Sequence, residues 1–147
     1  MNILIDADGC PVVDITLALA GMHGIPCLII CDTAHYIYRE GAETLVVDKG
    51  ADSADLAIAN RAQPSDIVIT QDYGLASMCL ARQAKVLHQD GWAYTEDNIQ
   101  ALLFQRHAAK AHRMAGGRIK GPSKRKPQQN TQFAEVLENL LQQTVQG

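Results

Sequence analysis

Aspartates that follow short apolar runs are the residues of this chain best suited to chemistry. Ile3-Leu4-Ile5 leads into Asp6-Ala7-Asp8, and Thr44–Val47 leads into Asp48 and Asp52, with Asp55 one turn further on. Ile67-Val68-Ile69 leads into Thr70-Gln71-Asp72. Carboxylates brought close together repel unless something neutralises them. Mg²⁺ or Mn²⁺ is the natural partner, since these ions prefer hard oxygen ligands and need few protein carboxylates. Such a site activates water for attack on a phosphodiester and stabilises the charge that develops on phosphorus. Asp6, Asp8, Asp55 and Asp72 are therefore the candidate catalytic and metal-holding residues. Asp52 either supports the metal or caps the helix that follows. Thr70 and Gln71 would stand behind the ligands and orient them or a water. Asp32, Asp66, Asp90 and Asp97 read as structural or solvated, and the five histidines show no metal spacing.

The partner for this chemistry is suggested by a charge asymmetry. Residues 1–98 carry a net charge of −9 and residues 99–147 a net charge of +6. All the basic residues of the second part fall between Arg106 and Lys126, where no acid occurs. Arg106, Lys110 and Arg113 share a helix face, and Arg118, Lys120, Lys124, Arg125 and Lys126 continue into a stretch rich in Gly, Pro, Lys and Gln. Clustered cations attract phosphate backbones by releasing counterions. They also serve merely as a solvated face, and the segment has little aromatic interleaving for base stacking.

The elements that must hold these residues alternate. The spacing predicts strands at 2–5, 27–31, 44–47, 67–70 and 85–87. It predicts helices at 12–22 after Pro11, 53–61, 75–82, 96 to about 113 behind a Thr95 cap, and 131–143. The last carries Phe133, Val136, Leu137, Leu140 and Leu141 on one stripe. Short buried strands separated by helices give a mainly parallel sheet covered on both faces, with the ligand site at the carboxyl ends of the strands. With 147 residues, 47% of them apolar, one domain is expected. Its parts would be an α/β body over 1–115, a basic flexible segment over 116–130 and a C-terminal helix within 131–147. No apolar run is long enough for a membrane span, and the acid-interrupted N-terminus is unlike a signal peptide, so the expected location is cytoplasmic. Cys10, Cys27, Cys31 and Cys79 form no CxxC pair and read as plain buried thiols.

Apolar-Asp-x-Asp-Gly also opens haloacid-dehalogenase phosphatases. There Asp6 would be the nucleophile, Asp8 a general acid, Thr70 the second motif and Lys85 the third. The paired acids that should follow the lysine are missing, since only Asp90 and Asp97 are available, well apart. A nucleic-acid-binding protein without catalysis is a further alternative.

Asp6-Ala7-Asp8-Gly9-Cys10-Pro11-Val12 resembles the Asp-Ala-Asp-Ala-Cys-Pro signature of the bacterial YaiI/YqxD family, among the PIN-like domains, with Gly9 in place of the usual Ala. The blocks from Asp48 to Asp55, from Ile69 to Ala76 and from Gly116 to Pro122 are similar to further blocks of that family. After the last, Pro127-Gln128-Gln129-Asn130 is neutral where acids are expected. The resemblance implies a PIN-like three-layer α/β/α sandwich. It implies Mg²⁺ or Mn²⁺ on Asp6 and Asp8, on Asp52 or Asp55, and on Asp72. Residues and resemblance together lead to the expectation of an RNase-like phosphodiesterase, with RNA ahead of DNA as partner, no membrane partner, and an oligomeric state left open.

Overall fold

Side chains alternate across the sheet, and that alternation sets the layers. Residues 1–50, 53–117 and 124–146 are described in the computed structural model. The strands are β1 (Ile3–Asp6), β2 (Cys27–Asp32), β3 (Glu43–Val47), β4 (Ile67–Ile69), β5 (Lys85–His88) and β6 (Trp92–Tyr94). The helices are α1 (Val13–Met22), α2 (Ser53–Arg61), α3 (Tyr73–Ala81), α4 (Glu96–Met114) and α5 (Pro127–Gln146). Ile3, Ile5, Ile29, Ile67 and Ile69 pack on one face with α1 and with Phe133, Leu137 and Leu141 of α5. Leu4, Ile30, Val68 and Val86 pack on the other with Ile58 of α2, Leu75 and Cys79 of α3, and Ile99 of α4. The result is an α/β three-layer sandwich.

The six strands run in the order β3-β2-β1-β4-β5-β6, parallel except for β6. From β1 the chain moves outward to β2 and β3, then α2 carries it back past β1 to β4. Direction therefore reverses between β1 and β4. In open α/β sheets, the crevice outside the carboxyl ends at such a point is where ligands bind.

Two parts of the chain differ from the sequence expectation. β6 is an antiparallel edge strand of three residues, too short to show a period, and it returns from β5 through a turn at Gly91. That glycine has φ +89°, and a Cβ on it would lie 2.6 Å from the backbone nitrogen of Phe133, so α5 can approach the turn only because no side chain is there. Helix α5 begins at Pro127 rather than Thr131. Proline suits the first helical position, and the Gln129 side chain reaches back to accept from the Lys126 N–H at 2.7 Å. The expected flexible segment is thus shorter at its end. Among the described residues, no helix is long and apolar enough to cross a membrane.

Candidate functional site

A cleft of about 500 Å³ opens at the β1/β4 reversal, lined by Asp6, Asp8, Asp32, Asp48, Asp55, Gln71, Asp72, Tyr73 and Arg106. Four of the aspartates singled out in the sequence come together in it: Asp6 from β1, Asp8 from the turn behind it, Asp55 from the first turn of α2, and Asp72 ahead of α3. Gly9, at φ +68°, makes the turn that follows Asp8. Asp52 lies outside the described residues.

Thr70 is the joint of the site. Its buried hydroxyl donates to Asp6 Oδ2 at 2.8 Å and accepts the Asp72 N–H at 2.9 Å, so one oxygen ties the end of β1 to the start of α3. The buried Tyr94 hydroxyl donates to the Thr70 carbonyl at 3.2 Å, which links β6 to the same point. Asp72 caps α3, with Oδ1 accepting the Leu75 N–H at 3.1 Å. The same oxygen receives Arg106 Nη1 from α4 at 3.4 Å. The cap role and the cleft role fall on one carboxylate.

Burial pushes Asp6 from its ordinary 3.8 up to about 6; the Thr70 hydrogen bond pulls it down, and the Asp72 and Asp8 charges push it up further. Beside it stands a trio that sequence reasoning missed. The potential ligand atoms of Asp8, Asp32 and His35 lie within 4.8 Å of one another. His35 Nδ1 is 2.9 Å from Asp32 Oδ1 and 3.5 Å from Asp8 Oδ1. The hydrogen bond to Asp32 raises the His35 pKa and lowers that of Asp32. Asp32 ends β2 next to β1, so the same strand-end signal that marked Asp6 could have found it. Tyr73 carried no signal apart from its place after Asp72.

The chain matches the family described as "Uncharacterized BCR, YaiI/YqxD family" over residues 4–143. It is 48% identical over 141 residues to a "UPF0178 protein" of Exiguobacterium sibiricum, covering 96% of each chain. It is 43% identical over 143 residues to one of Natranaerobius thermophilus, covering 97% of each. The chain belongs to the YaiI/YqxD family. No solved structure matches it.

In this YaiI/YqxD member the basic residues divide into two groups. Arg106, Lys110 and Arg113 are exposed along α4, whose last buried residue is Ile99. Lys124 and Lys126 are also exposed. Arg125 is different. Its Nη1 donates to Asp90 Oδ1 at 2.7 Å, its Nη2 to the Gln89 carbonyl at 2.9 Å, and its Nε and Nη2 to Asn130 Oδ1. Those bonds fasten the start of α5 to the β5–β6 turn, and they give Asp90 the structural role expected of it. Arg118 and Lys120 lie outside the described residues. All four cysteines are free thiols, and burial pushes Cys10 and Cys27 to about 11 and Cys79 to about 12, so these three are poor nucleophiles.

Proposed function

We propose that the chain is a metal-dependent phosphodiesterase that cuts nucleic acid, RNA ahead of DNA, with its acids disposed as in PIN-like nucleases. The observation that carries this is one cleft, at the reversal point of the sheet, that gathers Asp6, Asp8, Asp55 and Asp72 and is joined by Arg106 of the basic helix. The donor set fits Mg²⁺ or Mn²⁺, being made of hard carboxylate oxygens. Burial first, and the Asp72 and Asp8 charges after it, raise the pKa of Asp6, and a divalent cation held there would favour its ionised form. Asp6, Asp8, Asp55 and Asp72 would hold the ion, with Asp52 in support. When bound, it supplies Lewis-acid polarisation of a phosphoryl group and makes water more acidic.

The other residues position and grip. Thr70 holds Asp6 Oδ2 in place and fixes where α3 starts. Gln71 lines the cleft and is suited to orient water or substrate. Arg106, Lys110 and Arg113 offer guanidinium and ammonium groups to a phosphate backbone along α4, with Lys124 and Lys126 beyond it. The phosphatase alternative is disfavoured by Lys85, which opens β5 and lines an apolar groove with Leu140 rather than the acid cleft.

The test is titration calorimetry with Mn²⁺ and Mg²⁺, together with cleavage of single RNA and DNA strands, on wild type and on Asp6→Asn plus Asp72→Asn. The wild type is expected to bind metal and to cut RNA. The double variant should lose both, with cleavage down roughly a hundredfold or more. Cleavage that persists in the double variant rejects the proposal. Salt-sensitive RNA binding that survives in both proteins without any cleavage points instead to a binding protein.

A further inference from the structure

Among the described residues that line the acid cleft, Arg106 is the only Lys or Arg. Its contact with Asp72 is long, at 3.4 Å, and its side chain is 60% exposed. The carboxylate oxygen it touches is already used by the Leu75 N–H. Gly74 leaves the approach open: a Cβ there would lie 3.3 Å from Asp72 Oδ1 and 3.4 Å from Arg106 Nη1. Arg106 stands one turn beyond the partly buried Leu102 and Leu103, which anchor α4 to the core, and its own exposed side chain leaves the guanidinium free to move.

We propose that Arg106 exchanges partners: it neutralises Asp72 until a divalent ion takes that carboxylate, and then turns to a substrate phosphate. The inference rests on the metal-dependent reading above and assigns Arg106 a conditional role within it. Two cations on one carboxylate repel each other, the more weakly where one is solvent-exposed. An ion that engages Asp72 therefore loosens the guanidinium's hold on it. Its planar fork of donors matches a phosphate diester, whose charge now faces a cleft that is less negative. Without the ion, a polyanion meets a field of carboxylates and an arginine already engaged. Metal and nucleic acid thus strengthen each other's binding, and by linkage the effect is reciprocal.

The experiment uses the full chain with Mn²⁺ alone, followed by a phosphorothioate RNA oligonucleotide with and without Mn²⁺. The variants are Arg106→Gln, Arg106→Lys and Arg113→Gln, all at exposed positions. Arg106→Gln is expected to bind Mn²⁺ roughly three- to tenfold more tightly than wild type, because a competing charge is gone. Arg106→Lys should return that affinity towards wild type, and Arg113→Gln, about two turns along the helix, should leave it unchanged. Mn²⁺ should tighten RNA binding by a clearly larger factor in wild type than in Arg106→Gln. Equal or weaker Mn²⁺ binding by Arg106→Gln overturns the exchange. If Asp6→Asn plus Asp72→Asn still abolishes Mn²⁺ binding, the metal site stands and only the exchange falls. If the wild type binds no Mn²⁺, both fall together.

Discussion

The acid cleft and the outer half of α4 are built on opposite principles. In the cleft, Asp6 and Asp72 come from different elements and are locked by one buried hydroxyl, a helix cap and a tyrosine on the next strand. Beyond Ile99, α4 has no buried residue, and Phe104 and Met114 stand 71% and 79% exposed beside its cations. The contrast separates two demands. Chemistry at phosphorus requires groups held to a fraction of an ångström on rigid elements. A grip on a phosphate backbone, as proposed for α4, requires only charge within reach, which a solvated helix can carry.

The largest expected effect on this contrast comes from Thr70→Val. It keeps the shape but strips Asp6 Oδ2 and the Asp72 N–H of a shared partner. A part-buried carboxylate left unsatisfied costs about 1–3 kcal/mol, and cleavage should fall roughly tenfold or more as the two acids lose their common anchor. Denaturant midpoints and cleavage rates measure both. A variant that matches wild type in both would remove Thr70 from its place as the joint.

A second effect concerns stability and pH. Asp6 keeps its proton up to about pH 6 when folded but only to about 3.8 when unfolded. Folding therefore takes up a proton between these values, so this residue's contribution to stability falls as pH rises from about 4 to 6 and stays low above. The full shift corresponds to about 3 kcal/mol as an upper bound. Asp6→Asn should accordingly be more stable than wild type at pH 8 by about 1–3 kcal/mol, and the advantage should vanish near pH 4. Thermal unfolding of metal-free protein across that range gives the comparison. An advantage that is flat with pH would place its origin elsewhere.

The smallest effect belongs to the helix. Lys110→Gln should leave stability within about 0.5 kcal/mol of wild type, as expected for an exposed position without packing. RNA binding should weaken a few-fold, and the slope of log affinity against log salt should fall by about one. Binding isotherms at several salt concentrations test this. A slope that does not move would show that α4 makes no phosphate contact at this position.

Much of this organisation was legible in the sequence. Helix α2 lies at Ser53–Arg61 as the spacing predicted, Thr95 caps α4, and the stripe Phe133, Leu137 and Leu141 is fully buried. Local signals suffice for such features, since a cap or an amphipathic stripe is written in neighbouring residues. The strand β6 was not legible, because three residues paired at an edge leave no pattern. The trio of Asp8, Asp32 and His35 was legible only in part, since the strand-end position of Asp32 is in the sequence but its place beside Asp8 requires that β2 lie beside β1. Arg125 reads as one more cation in a basic run, yet its donors are engaged by Asp90, Gln89 and Asn130.

By itself the sequence determined the types of residue at the strand ends, the alternation of strands and helices, and the separation of an acidic body from a basic helix. These are properties of composition and local period. Only the tertiary structure decided which carboxylates meet. That depends on strand order: the return of the chain past β1 puts β4 beside it, and a single threonine hydroxyl then spans residues 64 positions apart. Charges and hydrogen bonds act through distance in space, and strand order, which sets that distance here, is fixed by the packing of the whole sheet.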